Sequence, residues 1–302
     1  MRLQHLHLIL ALSETGSLRA AALRLHVTQP ALTKSLHQLE DEFGTAMVTR
    51  SPKGVRLTLA GELLAARAAS AVRELDRARE EVAWQLKHEH ARVTVGVSAA
   101  AALMLLPGAI ARMRARWPQV QCRVVDAIYP RVLTMVRTGE LDLAVGPIVL
   151  GAVGPDLQVA PLFDEQLIII ARSDHPLGKA TRLAQLQGIA WIVTGSAGGP
   201  GDPACAGFER QGLTSCPVVL QCESFSTLVA LMPSLDAVSI MPKDYFQKFV
   251  QNMGIVQLPI EDPLPIVTLH AIWRADAPLT VPASHLLDSL EQEALGLRRQ
   301  AR

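Results

Sequence analysis

Two short amphipathic segments near the N-terminus predict a pair of helices separated by a tight turn. Ser17 and Thr28 stand immediately before the two segments, and hydroxyl side chains at such positions cap helix N-termini. Apolar residues recur at helical spacing within each segment: Leu18, Ala21, Ala22 and Leu25 in the first, and Leu32, Leu36, Leu39 and Phe43 in the second. The pattern therefore predicts two helices within residues 16–44.

The polar face of the second predicted helix carries side chains of the types that contact bases and phosphates. This face has no carboxylate, and it is typical of a helix-turn-helix, whose second helix enters the DNA major groove by its N-terminal end. Similar helix pairs also occur in α-rich domains that bind no DNA. In a helix-turn-helix, the expected DNA contacts of the pair are Ser17, Thr28, Gln29, Pro30, Thr33, Lys34 and His37.

Residues 47–58 predict a basic β-hairpin directly after the helix pair. A Ser-Pro-Lys-Gly turn separates two short β-prone runs, and Arg50, Lys53 and Arg56 lie at or near its tip. A hairpin in this position is the wing of a winged helix-turn-helix, which reaches phosphates or the adjacent minor groove. We therefore expect these three side chains to contact DNA as well.

Residues 59–88 predict one long helix without proline. Its apolar residues alternate in steps of four and three, which is a heptad seam: Leu64, Ala68, Ala71, Leu75, Ala78 and Val82. The seam favours pairing with a second copy of the chain, and the alternative is a surface helix between domains. His88 and His90 at its end are interpreted as solvated residues, because no third metal ligand is near them.

Strands alternate with helices beyond residue 91, which predicts an α/β domain with a parallel sheet and right-handed crossovers. The predicted strands are 93–97, 120–125, 141–145, 167–171, 191–193, 218–220, 238–240, 256–258 and 266–273. The predicted helices are 99–117, with a kink or early turn at Pro107, 131–137 and 282–297. Two runs of strands indicate two lobes, with the last strand and helix returning to the first lobe.

The first 61 residues resemble the DNA-binding domain of the LysR-type transcriptional regulators. The matching residues are 16–17, 20–22, 25, 29–33, 39–40, 44, 50 and 57–61. Val48 departs from the family, which usually has an aromatic residue at that position. The second half resembles the regulatory domain of the same family, which is itself similar to a periplasmic solute-binding protein. The resemblance therefore covers nearly the whole chain.

The resemblance implies a domain organisation, an α/β fold class with a winged helix-turn-helix, and a set of partners. The domains would be 1–58 for DNA binding, 59–88 as the linker helix, and 89–302 for effector binding. Lobe I would take about 91–161 and 267–302, and lobe II about 162–266. The implied partners are double-stranded promoter DNA, read by Gln29, Thr33 and Lys34, a small-molecule effector, and RNA polymerase if the protein is an activator. The linker helix would form a homodimer, and the full assembly a homotetramer.

A ligand in a two-lobed domain lies in the cleft, at the carboxyl ends of strands. Four segments meet that condition, and one of them, after the strand 191–193, is a glycine-rich loop that we expect to precede a helix. The loop is also compatible with an ordinary turn, and the aromatic residues with the core. The candidate effector contacts are Ser98, Ala99, Tyr129, Pro130, Thr194, Ser196, Gly198, Gly199, Pro200, Ser224 and Phe225. The regulatory half looks closest to regulators of aromatic sulfonate and carboxylate catabolism, which implies a small aromatic acid.

Composition and charge change this picture only locally. The chain of 302 residues has a formal net charge of +1, yet residues 1–60 hold seven Lys or Arg against four acidic residues. We expect a modest electrostatic attraction to DNA that a dimer or larger assembly multiplies. Cys122, Cys205, Cys216 and Cys222 lack disulfide or zinc spacing and are expected to be free thiols. The absence of a secretory signal or a long apolar run predicts a cytoplasmic protein without a membrane segment.

Two other functional classes stay open at the level of the sequence. The second half alone would suit a solute-binding protein for a small anion without a regulatory role. An enzyme could use Ser98 with His175 or His270 as nucleophile and base, but no G-x-S-x-G elbow or metal-ligand cluster accompanies them. His175 is better interpreted as structural. We expect no catalytic residues, no cofactor and no metal.

Overall fold

The structure is a computed structural model that describes residues 1–51, 54–86, 91–196, 198–202 and 208–300. The chain divides into two compact units, Met1–His88 and Glu89–Arg302. No helix in the described ranges combines the length and the apolar content that a membrane-spanning segment requires.

The part of the first unit that the structure describes contains four helices and a β-hairpin. These are α1 Leu3–Thr15, α2 Leu18–Arg24, α3 Gln29–Phe43, β1 Val48–Ser51, β2 Gly54–Leu57 and α4 Leu59–Gln85. Ser17 accepts a hydrogen bond from the Ala20 amide, and Thr28 accepts one from the Ala31 amide, so both predicted caps are formed. Apolar residues of α2 and α3 contribute to the core, as the spacing predicts, and they pack with α1, which was not predicted from the sequence. Phe43 is the exception: it is 47 % exposed, because α3 ends there and the chain turns at Gly44.

The first turns of the long helix α4 pack against the core of its own unit. Ala65 and Ala68 are buried against the core that includes α1. Further along, Leu75 and Val82 are 45 % and 59 % exposed. The predicted seam is therefore covered at its N-terminal end by the same chain, and only its second half presents an open apolar stripe within the unit.

The described residues of the second unit form nine strands. The strands are β3 Arg92–Val97, β4 Gln121–Asp126, β5 Leu143–Pro147, β6 Leu157–Arg172, β7 Ala190–Thr194, β8 Val218–Cys222, β9 Ala237–Pro242, β10 Ile255–Gln257 and β11 Ile266–Arg274. The helices are α5 Ala99–Met104, α6 Leu106–Arg116, α7 Arg131–Arg137, α8 Phe225–Leu231, α9 Lys243–Tyr245 and α10 Val281–Gln300. Short 3-10 turns lie at Leu150–Ala152, Leu183–Leu186, Phe208–Gln211 and Met232–Ser234, and a π turn at Phe246–Val250.

The sheet is mixed, where the sequence predicted a parallel one. Its order is β4-β3-β5-β11-β6-β9-β7-β8, and β10 also pairs with β6. Parallel pairs form on both sides, β3 with β4 and β5, and β7 with β8 and β9. Between them, β11 runs antiparallel to β5 and β6, and β6 runs antiparallel to β9 and β10. β11 therefore runs against both of its neighbours, and β6 runs in the same direction as β5 and against the strands of the other lobe.

Strand β6 belongs to both lobes and is much longer than predicted. Its residues 157–166 pair with β11, and from Leu167 onward it pairs with β9. The change of partner at Gln166–Leu167 is the crossing between the lobes. The segment predicted as one kinked helix, 99–117, is two helices, because α5 ends before Leu105 and Pro107 stands in the first turn of α6.

Three cysteines are described, and all three are free thiols. Cys122 and Cys216 are half-buried and Cys222 is buried. Cys205, His88 and His90 lie outside the described residues.

Candidate DNA-binding surface and inter-lobe cavity

The exposed face of α3 gathers the residues predicted to read DNA. Gln29, Pro30, Thr33, Lys34 and His37 line one open groove on the surface. Thr33 is half-buried, and the other four are exposed. His37 lies near Glu40, with Nδ1 and Oε2 3.5 Å apart, so a carboxylate borders this face at its C-terminal end. The polar face of the N-terminal half of α3 is exposed to solvent.

The β-hairpin is fixed to the turn before α2 by its backbone. The Val55 amide donates to the carbonyl oxygen of Gly16 at 2.8 Å. Gly54 stands beside that contact with a φ of 125°, and a Cβ there would lie 2.6 Å from the same oxygen. Glycine is therefore required at this turn. Arg56 projects as an exposed side chain, whereas Lys53 and the side chain of Arg50 lie outside the described residues.

A cavity of about 280 Å³ lies in the second unit, between the two lobes. It is formed at the carboxyl ends of parallel strands, after β3, β4 and β5 in one lobe and after β7, β8 and β9 in the other. Seven of the predicted effector contacts line it: Ser98, Ala99, Tyr129, Thr194, Pro200, Ser224 and Phe225. The wall is mostly apolar, as is usual for a small-molecule pocket.

Four predicted contacts lie outside the cavity wall. Pro130 is the N-terminal flanking residue of α7. Ser196, Gly198 and Gly199 belong to a turn that bonds to itself: the Gly199 amide donates to the Ser196 carbonyl oxygen at 3.0 Å, and the Gly198 amide donates to the Asp202 carboxylate at 2.8 Å. The loop was expected to precede a helix, but the next described element is the 3-10 turn Phe208–Gln211.

Two serine hydroxyls in the wall cap helices that begin there. Ser98 accepts from the Ala101 amide at 3.3 Å and Ser224 accepts from the Thr227 amide at 3.1 Å. A hydroxyl that accepts a bond at a cap still has its own O–H to donate. The Ser98 hydroxyl can therefore donate to a ligand, whereas the Ser224 hydroxyl also lies 2.9 Å from Ser226 Oγ and 3.0 Å from Thr227 Oγ1 and shares its hydrogen with them.

The ionisable groups of the wall are acidic residues and tyrosines. Glu165, on β6, is 3 % exposed, and burial, reinforced by the charge of Asp244, raises the pKa of its carboxyl to about 8. Asp126 and two tyrosines, Tyr129 and Tyr245, complete the set. Among the lining residues that the structure describes, none is Lys, Arg or His. The expected acidic effector therefore finds no cationic side chain on the described wall.

Several wall residues were missed from the sequence. Glu165, Leu167, Val267 and Leu269 come from the paired strands β6 and β11, and Tyr245 follows β9. Residues 157–165 show no regular alternation of apolar and polar positions, so nothing within that segment indicates which of its residues reach a ligand.

Neither histidine considered as a base for Ser98 lies beside it in the cavity wall. His175 is buried, and its Nδ1 accepts from the Leu177 amide at 3.1 Å, which is a structural role within a turn. His270 is buried too, and burial lowers the pKa of both imidazoles. Neither histidine lines the cavity that contains Ser98. In the part of the chain that the structure describes, no group of three His, Cys, Asp or Glu is placed to hold a metal ion.

A winged helix-turn-helix on the same chain as a two-lobed domain with an inter-lobe cavity defines a class: DNA-binding regulators that respond to a small molecule. Residues 3–62 match the bacterial regulatory helix-turn-helix protein family, lysR family, and residues 86–295 match the LysR substrate binding domain. The chain therefore belongs to the LysR family of transcriptional regulators. It is a DNA-binding transcriptional regulator and not an enzyme.

Relatives and solved structures agree with this membership. The chain is 28 % identical over 285 residues to the HTH-type transcriptional regulator TdcA of Escherichia coli K12, covering 94 % of this chain and 91 % of TdcA. It is 28 % identical over 278 residues to the Hca operon transcriptional activator HcaR of the same organism, covering 91 % and 92 %. The fold is similar to that of CbnR, a LysR family regulator, with a TM-score of 0.72, 18 % identity, and coverage of 97 % and 99 %. It is also similar to a full-length OxyR variant from Pseudomonas aeruginosa, with a TM-score of 0.61, 27 % identity, and coverage of 96 % and 98 %.

Proposed function

We propose that this regulator binds a small, largely apolar effector in the inter-lobe cavity and that the bound effector changes its action on promoter DNA. The observation that carries the proposal is the cavity itself, which brings together seven residues that were selected from four separate segments of the sequence. Its volume is near the lower end of ligand pockets, which is roughly 300 Å³, and this favours a single-ring or similarly small molecule.

The α3 surface would read the operator. Gln29, Thr33 and Lys34 lie in the half of α3 that a major groove admits, and His37 and the hairpin residues Arg50, Lys53 and Arg56 would contact the backbone. Ser17 and Thr28 act first as helix caps, so their part in DNA binding is to place the helix N-termini against phosphates. Pro30 shapes the first turn of α3.

The open stripe of α4, defined by Leu75, Ala78 and Val82, would form the homodimer. These residues are exposed within the first unit and continue the heptad seam beyond the part that the unit covers. Two copies present two wings and two recognition helices, which suits a two-fold operator, and a homotetramer would pair two such dimers. The protein would act in the cytoplasm, where promoter DNA lies, and would contact RNA polymerase if it activates.

The DNA-binding part is tested with the full-length chain and the region upstream of its own gene. We expect Lys34→Ala to weaken binding, and to lower the salt slope by about 1 for each bound copy if Lys34 contacts a phosphate. Arg299→Ala removes an exposed cation from α10 and serves as the matched control. Equal binding by the wild type and Lys34→Ala would refute the role of the α3 surface.

The effector part is tested by blocking the cavity. Ala102 lines the cavity from α5 and is half-buried, so Ala102→Phe would fill the space while leaving the first unit unchanged. Single-ring acids, alcohols and amines are screened by thermal shift on the full-length chain. We expect a compound that stabilises the wild type, and alters its DNA binding, to lose both effects with Ala102→Phe. A compound that acts equally on the variant would show that the effector binds elsewhere.

A further inference from the structure

Glu165 is a buried carboxyl group in the cavity wall that the fold does not use. It stands on β6 opposite Val267 of β11, in the last part of β6 that pairs within the first lobe. Its exposure is 3 %, and within the described ranges its Oε1 has no hydrogen-bond partner. A buried polar atom without a partner is destabilising, and in native proteins it calls for a specific explanation.

We infer that Glu165 is the specificity-determining residue for a cationic effector: a small molecule with an apolar body and one protonated amine that pairs with the Glu165 carboxylate. This inference rests on the proposed function, because it takes the inter-lobe cavity as the effector site. It replaces the expectation of an aromatic acid with a different chemical class for the head group.

The charges around the cavity favour a cation. Asp126 lines it from the end of β4, and Asp244 of α9 is near enough to raise the pKa of Glu165. The other titratable groups on the described wall are the phenols of Tyr129 and Tyr245, and burial and Asp126 raise the pKa of Tyr245. The wall residues from α5, β5, β7, α8, β9 and β11 are uncharged. An ammonium group would be attracted by this field, and a carboxylate would be repelled.

Aromatic rings stand on both sides of the cavity. Phe225 and Tyr245 contact each other with their ring centroids 5.2 Å apart, and Tyr129 lines the wall from the other lobe. The faces of such rings attract ammonium groups, and the attraction strengthens when the cation is removed from water. Carboxylate and aromatic rings together form a common arrangement for recognising an amine.

The ionisation of Glu165 adds a diagnostic pH dependence. Since the pKa of the free carboxyl is about 8, it holds its proton near neutral pH. Binding a protonated amine would form the ion pair and release that proton to solvent. Affinity for the amine should therefore rise on the order of tenfold from pH 6.5 to pH 8.5, whereas affinity for a carboxylate that accepts the proton of Glu165 should fall.

The test is calorimetry on the full-length chain with three probes that share one body: 2-phenylethylamine, 2-phenylethanol and 3-phenylpropanoate. We expect the amine to bind most tightly, and more tightly at pH 8.5 than at pH 6.5. Glu165→Gln should weaken amine binding at pH 8.5 at least tenfold and abolish its pH dependence. Asp164→Asn is the matched control, because Asp164 is the exposed neighbouring carboxylate on β6 and should leave binding unchanged.

The inference is overturned if the carboxylate binds best, if the three probes bind equally, if none of them binds, or if Glu165→Gln keeps the wild-type affinity and pH dependence. The pH dependence of amine binding by the wild type tests the inference without any variant. A folding defect of Glu165→Gln would therefore not obscure the result. If one of these results overturns the inference but another compound loses its binding with Ala102→Phe, the proposed function still stands. A compound that binds Ala102→Phe and the wild type with equal affinity would refute the proposed function itself.

Discussion

The buried Glu165 carboxyl predicts how the stability of the second unit depends on pH. Burial raises its pKa from 4.5 to about 8 in the folded protein, whereas in the unfolded chain the carboxyl titrates near its ordinary value. The folded state therefore holds a proton that the unfolded state has lost between these two values. The free energy of unfolding should fall as pH rises through this window, and above about pH 8 the whole penalty is present.

The size of the effect follows from the two pKa values. From pH 5 to pH 9 the wild type should lose about 4 kcal/mol of unfolding free energy through this one group. Glu165→Gln keeps the size of the side chain but cannot ionise, so it should not lose this contribution. The variant should resemble the wild type near pH 5 and exceed its stability by several kcal/mol at pH 9.

Urea unfolding followed by tryptophan fluorescence measures this difference. Three of the four tryptophans, Trp117, Trp191 and Trp273, belong to the second unit, and the fully buried Trp191 reports on the core of one lobe. Asp164→Asn controls for the loss of a carboxylate at an exposed position of the same strand. If the stabilities of wild type and Glu165→Gln run parallel from pH 5 to pH 9, the reasoning from burial is wrong.

Two further predictions concern the first unit, and the first of them is compared with a glycine variant in α10. Gly61→Ala would place a Cβ 2.1 Å from the Met47 carbonyl oxygen, so it should destabilise the unit by more than about 3 kcal/mol and abolish DNA binding. Gly296→Ala, where a Cβ meets nothing within 4 Å, should instead stabilise α10 by about 0.5–1 kcal/mol; equal thermal unfolding of the two variants would contradict this. Leu75→Lys should shift the protein to smaller assemblies in sedimentation velocity, because Leu75 lies on the open stripe of α4. Asp76→Lys, one position off the stripe, should not, and dissociation by both or neither would count against the stripe as the dimer contact.

The helix-turn-helix could be predicted because its determinants are local. Caps at Ser17 and Thr28 act on amides three residues away, and the apolar spacing that buries Leu32, Leu36 and Leu39 is set within one helix. Phe43 was wrongly assigned to the buried face of α3, because local spacing does not show where the core lies. Its spacing fits the apolar face, but α3 ends at that point and the core lies elsewhere.

The sheet was harder to predict because strand direction depends on distant partners. Leu157 of β6 pairs with Arg274 of β11, more than 100 residues away along the chain. Alternation within one segment identifies a strand, yet it does not distinguish a parallel neighbour from an antiparallel one. The expectation of a parallel sheet was therefore wrong at β6, which crosses between the lobes, and at β11, which returns to the first lobe.

Cavity residues placed by distant strand pairing were missed, whereas cavity residues marked by their local position were found. Ser98 and Ser224 stand just after strands and Thr194 is the last residue of β7, and the general rule that ligands bind at carboxyl ends of strands selects them from the sequence. Glu165 lies within β6, not at its end, and reaches the cavity because β6 crosses between the lobes there. A rule based on strand ends selects hydroxyl groups and backbone amides, which suit an anion. Glu165, the proposed partner of a cationic head group, was outside the reach of this rule, and the expectation of an aromatic acid followed from the resemblance to regulators of aromatic sulfonate and carboxylate catabolism.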